Sequence, residues 1–192
     1  MKLVILDRDG TINSDSDDFV KSPDEWHPLP GALEAIARLN HAGWHVVIAS
    51  NQSGLGRGLF DVAALNAIHA KMHKMLAAVG GRIDAVFYCP HGPEESCVCR
   101  KPLPGLFEQI SLRFGVLLKD VPTCGDSVRD VLAGAQAGCQ PHLVLSGKSA
   151  AFAGKAPPVG LPAGTRLHAD LSAFVDCVLA SGAAPALPGA AT

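Results

Sequence analysis

The feature that most constrains how this chain folds is a short apolar stretch near the N-terminus that ends in two acidic residues. Residues Lys2–Leu6 are aliphatic after the first position, which predicts a β-strand buried on both faces, as in a parallel sheet. Asp7 and Asp9 follow, two positions apart, so an extended backbone places both carboxylates on the same side. Gly10 then allows a sharp turn. Because like charges this close repel each other, the pair indicates a bound cation or a shared proton.

Two simpler interpretations of the acidic pair are open at this point. Asp and Gly are common turn residues, so the segment also suits the turn of an edge hairpin. A calcium-binding loop is the other possibility, and it requires glycine at its sixth position and glutamate at its twelfth. Counted from Asp7, those positions hold Ile12 and Asp18, so the calcium loop fits poorly.

Predicted strands and helices alternate along the chain. After the first strand, apolar runs predict strands at Trp44–Ala49, Ala85–Tyr88, Val121–Cys124 and His142–Leu145. Helical patterns predict helices near residues 30–43, 61–79, 104–114, 127–137 and 169–180, with a Gly/Pro-rich loop at 146–166. The alternation predicts an α/β fold with a parallel sheet. We expect one domain over residues 1–182, with a zinc loop at 89–99, and a disordered Ala/Pro-rich tail at 183–192.

Polar side chains follow the ends of several predicted strands. Ser50 follows the second strand and precedes a glycine-rich segment, where a hydroxyl is well placed to hold a phosphate oxygen. Arg57 lies within that segment and is suited to bind a second anionic group. Asp126 follows the fourth strand. Taken singly, Ser50 and Asp126 also suit helix caps. Arg57 taken singly also suits an exposed arginine in a loop. Parallel strands end at one edge of a sheet, however, so we expect them to meet near Asp7.

A cluster of metal-binding residue types follows the third predicted strand. Three thiols and one imidazole, Cys89, His91, Cys97 and Cys99, lie within eleven residues, and this set is suited to tetrahedral Zn²⁺. Four protein ligands close the coordination sphere, so the predicted zinc site is structural. Unpaired thiols in a loop are the alternative. Because Arg100 and Lys101 follow directly, a zinc site would also restrain two cationic side chains.

Other cysteines and histidines receive structural interpretations. Cys124, Cys139 and Cys177 lie in or beside apolar segments and are predicted to be core residues. His69 and His73 are one helical turn apart, as in a zinc protease motif, but the glutamate of that motif is absent. We therefore predict that this histidine pair lies on a solvent-exposed helix face.

Composition excludes several classes of function. The chain has 192 residues and a net charge of −2. It therefore lacks the excess of basic residues that indicates nucleic-acid binding. No apolar run is long enough to predict a membrane span. The N-terminus lacks the pattern of a signal peptide, which predicts a cytoplasmic protein with reduced cysteines. No segment indicates assembly, so we expect a monomer.

The pentapeptide DRDGT that begins at Asp7 resembles the first motif of the haloacid-dehalogenase-like phosphatases, and Ser50, Lys101 and Asp126 match the other three motifs. The resemblance implies a Rossmann-like sheet with a minimal cap, in which Asp7 is the nucleophile and Asp9 the general acid and base. It implies that Ser50 holds a phosphoryl oxygen and that Lys101 balances charge on the nucleophile. It also implies Mg²⁺ held by Asp7, Asp126 and the backbone carbonyl of Asp9.

The zinc loop narrows the resemblance to two subgroups of this family, one acting on a heptose bisphosphate and one on histidinol phosphate. The segment SNQSGLGRG at residues 50–58 is more similar to the first subgroup, whose substrate has a second phosphate for Arg57 or Arg100 to hold. The implied reaction removes the C7 phosphate of a heptose 1,7-bisphosphate through an aspartyl-phosphate, in the synthesis of nucleotide-activated heptose for lipopolysaccharide. The implied substrate contacts are Asp15, Ser16, Asp17, Asp18, Asn51, Gln52, Ser53, Arg57 and Arg100.

Two alternatives accompany this hypothesis. One is a histidinol-phosphate phosphatase, and the other is a non-catalytic, zinc-stabilised module that binds a sugar phosphate. The intact Asp7 and Asp9 pair argues against the module, because a binding protein needs no acid beside a nucleophile. One position departs from the heptose subgroup, which usually has lysine after the fourth-motif aspartate where this chain has Ser127. The resemblance therefore implies no substrate contact at that position.

Overall fold

Six parallel strands form one sheet in the computed structural model of the protein, which describes residues 1–182. The strands are β1 (Lys2–Leu6), β2 (Trp44–Asn51), β3 (Ala85–Cys89), β4 (Pro122–Gly125), β5 (Gln140–Val144) and β6 (Arg166–His168). Their order across the sheet is β3-β2-β1-β4-β5-β6, so β1 lies between β2 and β4. The predicted α/β fold with a parallel, Rossmann-like sheet is confirmed. The tail predicted at 183–192 lies outside the described residues.

Helices connect the strands and pack on the sheet. They are α1 (Ala32–His41), α2 (Ser53–Gly56), α3 (Val62–Ala78), α4 (Gly105–Phe114), α5 (Val128–Gln136) and α6 (Leu171–Ser181). Short 3-10 turns occur at Pro23–Glu25 and Gly147–Phe152. Aspartate side chains cap the N-termini of α3 and α6, since the carboxylates of Asp61 and Asp170 each accept a bond from a backbone N–H three residues later. No helix within residues 1–182 combines the length and apolarity needed to cross a membrane.

The alternation of side chains along β1 explains why the sheet is covered on both faces. Val4 and Leu6 point into a core shared with α1, α3 and α6, whereas Leu3 and Ile5 point into a core shared with α4 and α5. All four side chains are fully buried. Burying each aliphatic side chain contributes about 1.5–3 kcal/mol, so β1 is firmly held and the residues that follow it start from a rigid position.

One predicted loop is only partly correct. Residues 146–166 contain the 3-10 turn at Gly147–Phe152 and reach the start of β6, which the sequence did not indicate. β6 has three residues at the edge of the sheet, and its Leu167 is 43% exposed. A strand this short and exposed lacks the apolar run by which strands are recognised.

The predicted burial of the isolated cysteines is correct for two of the three. Cys124 and Cys139 are buried, but Cys177 is only half-buried. Cys177 lies on α6 beside the edge strand β6, where Arg166 contacts its sulfur, and no further strand covers that side within the described residues.

Candidate active site

A cavity of about 250 Å³ opens at the carboxyl ends of the central strands. It is formed where the chain leaves β1, β2, β4 and β5, as expected for the binding crevice of an open parallel sheet. The predicted site residues that line it are Asp7, Asp9, Asp15, Ser16, Asp17, Ser50, Asn51, Gln52, Ser53, Arg57, Arg100, Lys101 and Asp126. Asp18 is the one predicted substrate contact outside this lining. The structure thus brings residues from across the chain to one place.

Lys101 supplies a buried positive charge beside Asp7. Its side chain is 2% exposed, and its Nζ donates to Asp7 Oδ1 at 2.7 Å and to the backbone carbonyl of Ala49 at 2.8 Å. The same Nζ lies 2.6 Å from Asp130 Oδ1. Burial alone lowers the pKa of a lysine, but the two carboxylates outweigh it and raise the pKa of Lys101. The ammonium therefore stays charged.

Three carboxylates meet at the base of the cavity. Oxygens of Asp7, Asp126 and Asp130 lie within 4.8 Å of one another. Burial, together with repulsion among these carboxylates, raises the pKa of Asp7 to about 7 and that of Asp126 to about 8. Burial also acts on Asp130, but the ammonium of Lys101 and bonds from Ser127 hold the pKa of Asp130 below its usual value. Because Asp130 is held by Lys101 and Ser127, Asp7 and Asp126 are the two carboxylates left to bind a cation. A Mg²⁺ ion, which prefers oxygen ligands, would relieve their mutual repulsion.

The position of Asp126 depends on two glycines. Gly10 and Gly147 adopt φ angles of +81° and +46°, and a Cβ atom at either would collide with the Asp126 carboxylate. Glycine is suited to both the backbone conformation and the close approach. The backbone N–H of Lys148 donates to Asp126 Oδ2 at 2.5 Å, and Ser146 Oγ donates to the carbonyl of Gly10. The turns after β1 and β5 are therefore joined around this carboxylate.

Asp9 is held as an ionised carboxylate by three neighbours. Arg8 Nη2 donates to both of its oxygens at 2.9 Å, Asn13 Nδ2 donates to Oδ1 at 2.8 Å, and Gln52 Nε2 donates to Oδ2 at 2.8 Å. Burial opposes ionisation, but the Arg8 guanidinium and the two amide bonds outweigh it and lower the pKa of Asp9. The side chain is committed to these donors, so the ligand that Asp9 could offer Mg²⁺ is its backbone carbonyl.

Two residues predicted to contact substrate, Asn51 and Gln52, form hydrogen bonds with the predicted catalytic residues. Gln52 Nε2 bonds Ser50 Oγ and Asp9 Oδ2, both at 2.8 Å, and so links two sides of the cavity. The Asn51 side-chain amide forms a reciprocal pair with the backbone of Lys101, with both distances 3.0 Å. The end of β2 thereby fixes the backbone that carries Lys101.

The mouth of the cavity has an acidic side and a cationic side. On the acidic side, Lys148 Nζ lies 3.0 Å from Asp15 Oδ2 and 2.6 Å from Asp17 Oδ1, which holds that loop in place. On the cationic side, the Arg57 guanidinium lies 5.6 Å from the ring centroid of Phe19, in the range of a cation–π contact.

Arg57, Arg100 and Arg129 form the cationic side. Burial and the neighbouring positive charges of Arg129 and Arg57 lower the pKa of Arg100. Within residues 1–182 none of the three forms an ion pair with a carboxylate. Unbalanced cations that line a cavity make a favourable site for an anionic group of a ligand.

Several lining residues were not identified from the sequence, including Phe19, Arg129 and Lys148. Lys148 closely follows the end of β5, so the strand-end reasoning applied to Ser50 and Asp126 could have found it. Phe19 gave no sequence signal; its backbone has a φ of +64°, and its ring lies beside the Arg57 guanidinium.

The four predicted zinc ligands converge in the loop after β3. Cys89, His91, Cys97 and Cys99 each offer one ligand atom, and these atoms lie within 4.8 Å of one another. Cys89 Sγ lies 3.8 Å from Cys97 Sγ and 3.4 Å from His91 Nδ1. Tetrahedral Zn²⁺ with bonds of about 2.3 Å to sulfur separates two sulfurs by about 3.8 Å. The Cys89–Cys97 pair has this separation, whereas Cys99 Sγ lies 2.8 Å from Cys89 Sγ, so the fit to this ion rests on the types of donor and their convergence. Arg100 Nη1 donates to the carbonyl of His91 at 3.0 Å, which connects the loop to the cavity.

The prediction of a solvent-exposed histidine face on α3 is wrong for one of its two members. His73 is exposed, but His69 packs inward, with Nε2 3.3 Å from Arg8 Nη1. Burial and the neighbouring guanidinium lower the pKa of His69 to about 4, so its ring is neutral at pH 7. The sequence pattern did not show that this face of α3 covers the buried Arg8.

Comparisons with known proteins identify related families and enzymes. Residues 2–133 match a family described as polynucleotide kinase 3 phosphatase, and residues 98–170 match a HAD-like hydrolase family. The D-glycero-β-D-manno-heptose-1,7-bisphosphate 7-phosphatase of Bordetella bronchiseptica is 59% identical over 179 residues, covering 93% of this chain and 98% of the relative. The protein of the same name from Pseudomonas aeruginosa is 48% identical over 177 residues, covering 92% of this chain and 97% of the relative.

A solved structure is also similar over nearly the whole chain. The crystal structure of D,D-heptose 1,7-bisphosphate phosphatase from B. bronchiseptica, complexed with magnesium and phosphate, has a TM-score of 0.90 to this protein. The two sequences are 58% identical, and the match covers 94% of this chain and 99% of the other.

Proposed function

Since this chain belongs to the heptose-1,7-bisphosphate 7-phosphatase family of haloacid-dehalogenase-like hydrolases, we propose that it removes the C7 phosphate of D-glycero-β-D-manno-heptose 1,7-bisphosphate. The observation that carries this proposal is the meeting of Asp7, Asp9, Ser50, Lys101 and Asp126 in one cavity. The relatives named above are not histidinol-phosphate phosphatases, so that alternative is not supported. A purely binding module is not supported either, because these relatives are enzymes.

In the first half of the reaction, Asp7 attacks phosphorus in line and the bond to the sugar oxygen breaks, which leaves an aspartyl-phosphate. The Lys101 ammonium, 2.7 Å from Asp7, offsets negative charge on the nucleophile and the transferring group. Ser50 at the end of β2 donates its hydroxyl to a phosphoryl oxygen. Asp7, Asp126 and the backbone carbonyl of Asp9 would hold Mg²⁺, which supplies further stabilisation of phosphoryl charge.

Asp9 moves the protons in both halves of the reaction. It protonates the departing sugar oxygen and then accepts a proton from the water that attacks the aspartyl-phosphate. Arg8, Asn13 and Gln52 lower the pKa of Asp9 in the structure. A bound phosphate dianion brings negative charge next to Asp9 and raises the pKa of its carboxyl group. We infer that substrate binding converts Asp9 into the acid that the first half requires.

The two sides of the cavity mouth suit different parts of the substrate. The cationic side, with Arg57 and Arg100, is suited to the phosphate at C1, and the acidic loop with Asp15 and Asp17 is suited to the sugar hydroxyls. Zn²⁺ bound by the four predicted ligands of the zinc loop would hold Arg100 and Lys101 in place. The proposed cofactors are therefore Mg²⁺ for catalysis and Zn²⁺ for structure.

Three further features stay predictions from the sequence. They are the organisation of residues 1–182 as one domain, the cytoplasmic location and the monomeric state. The place of the reaction in the synthesis of nucleotide-activated heptose is proposed on the same basis as the substrate.

Phosphorus NMR of the reaction mixture tests the proposed function. The wild-type protein with Mg²⁺ is expected to convert the heptose 1,7-bisphosphate into inorganic phosphate and a product that keeps its anomeric phosphate. Asp7→Asn is expected to release no phosphate, while the control Asp24→Asn, at an exposed position, behaves as the wild type. Release of the anomeric phosphate, or continued turnover by Asp7→Asn, would overturn the proposal.

A further inference from the structure

Away from the cavity, a second group of metal-binding side chains meets where β5, β6 and α6 pack together. His142 belongs to β5, His168 to β6 and Cys177 to α6. One ligand atom from each lies within 4.8 Å of the other two. We propose that these three residues bind a zinc-type divalent cation, separate from the zinc loop and independent of the phosphatase reaction.

The two imidazole rings are held in position by their surroundings. β5 and β6 are neighbouring parallel strands, so the backbones of His142 and His168 are fixed relative to each other. Phe174 of α6 packs edge-on against both rings, with centroid distances of 4.9 and 5.7 Å. His142 is buried, while His168 and Cys177 are half-buried. The three ligand side chains therefore lie together, with one side of the group open to solvent.

The atoms that face one another are the ones a metal would use. His142 Nδ1 lies 2.8 Å from His168 Nε2, and without a metal one ring donates this hydrogen bond and the other accepts it. If each ring instead carries its proton on the other nitrogen, both facing nitrogens present lone pairs to a cation. Tetrahedral bonds of about 2.0–2.1 Å to nitrogen place two such atoms about 3.3 Å apart. The ring centroids lie 5.0 Å apart with an interplanar angle of 24°, so the facing nitrogens point almost directly at each other. To bind one ion the rings would need to separate by about 0.5 Å and to turn so that both lone pairs converge on it.

Cys177 provides the third ligand and has a neighbour that suits a thiolate. Arg166 Nη1 donates to Cys177 Sγ at 3.7 Å, and an N–H donor to a ligating sulfur stabilises its ionised form. The thiol proton is released when the cation binds. With three protein ligands, water completes the coordination at the open side.

The donor set indicates which cation binds. Two imidazole nitrogens and one thiolate favour Zn²⁺, and Co²⁺ as its spectroscopic substitute, over Mg²⁺, which prefers oxygen. The ligands come from an interior strand, the edge strand β6 and the helix α6. We therefore expect the ion to fasten the edge of the sheet to α6, without contact with the phosphate-binding cavity.

Zinc stoichiometry measured by mass spectrometry of the bound metal tests the proposal. The wild-type chain, dialysed against buffered zinc, is expected to hold two Zn²⁺ ions, one in the zinc loop and one here. His168→Ala and Cys99→Ser are each expected to hold one, and the double variant none. The control His73→Ala, which alters an exposed histidine, is expected to keep two. One ion in both the wild type and His168→Ala would overturn the proposal.

Alkylation of Cys177 gives a second test that needs only the wild-type protein. The rate of modification, followed on the peptide that contains Cys177, is expected to fall about tenfold when free zinc is ten times the dissociation constant. Mg²⁺ at the same concentration is expected to leave the rate unchanged. If zinc does not slow the reaction, Cys177 is not a ligand and the proposed site does not exist.

Discussion

Replacing Lys101 by methionine is expected to destabilise the folded protein by about 3–5 kcal/mol, because it leaves buried carboxylates without their cation. The Lys101 ammonium lies 2.7 Å from Asp7 Oδ1 and 2.6 Å from Asp130 Oδ1. Methionine has a similar length and keeps most of the packing, so the change acts mainly through charge.

The magnitude follows from two opposing contributions. At an effective dielectric constant of about 20, each ion pair at this distance is worth roughly 6 kcal/mol of Coulomb attraction. Taking the buried ammonium and carboxylates out of water costs several kcal/mol per ion and offsets much of that attraction. Removing one partner loses the attraction but leaves the carboxylates desolvated, which is why the net loss stays as large as 3–5 kcal/mol.

A second substitution separates this explanation from simple loss of packing. Asp130→Asn in the Lys101→Met background removes one of the unpaired charges while keeping a group that can accept the bonds from Ser127. The double variant is expected to be more stable than Lys101→Met by about 2 kcal/mol. Its phosphatase activity is not expected to recover, because Asp7 still lacks the neighbouring cation, and kcat should stay about 10²–10³ below that of the wild type.

Urea unfolding provides the assay, with the fluorescence of the buried Trp26 and Trp44 as the signal and no magnesium added. Lys119→Met, at an exposed position, serves as the matched control and should not change the free energy of unfolding by more than about 0.5 kcal/mol. A Lys101→Met protein as stable as the wild type would refute the reasoning. A double variant no more stable than the single one would refute it equally.

Three further predictions concern the metals and the half-buried carboxylate of Asp84. Asp126→Asn is expected to weaken Mg²⁺ binding, measured by calorimetry, by about tenfold or more and to abolish phosphate release without unfolding the protein; undiminished binding would exclude Asp126 as a ligand. Cys99→Ser is expected to lower the zinc content by one ion and to reduce kcat/KM, because the loop that carries Arg100 and Lys101 loses its anchor; unchanged zinc content would contradict this. Asp84 accepts bonds from the Val46 N–H and from His45, and despite burial these partners lower the pKa of Asp84. Its contribution to stability is therefore present at pH 7 and is lost as the pH falls through this lowered pKa, so urea unfolding of Asp84→Asn and wild type should differ at pH 7 and converge in strong acid.

The elements that could be predicted from the sequence share one property, which is that local pattern and tertiary role agree. Lys2–Leu6 is apolar because both faces of β1 are buried, so its bounds were predicted correctly. Asp7, Ser50 and Asp126 could be placed together because all parallel strands end at one edge. Spacing alone was enough to predict that Cys89, His91, Cys97 and Cys99 converge.

The features that could not be predicted depend on distant contacts that no local pattern records. The three residues of β6 carry little strand signal of their own. They form a strand because they pair with β5. His69 turns inward because α3 covers Arg8. Gln52, for which the resemblance implies contact with substrate, also donates hydrogen bonds to Asp9 and Ser50. Such roles depend on which partner is within about 3 Å, and the chain order does not show this.

The covalent intermediate on Asp7 offers the most direct test of the proposed mechanism. In Asp9→Asn the water that attacks the aspartyl-phosphate has no base, whereas 4-nitrophenyl phosphate, with its good leaving group, needs no acid to transfer its phosphoryl group. Rapid acid quenching of this variant, followed by peptide mass spectrometry, is predicted to find a phosphoryl group on Asp7. Release of nitrophenol with no phosphoryl group on Asp7, or with the group on Ser50, would contradict the mechanism.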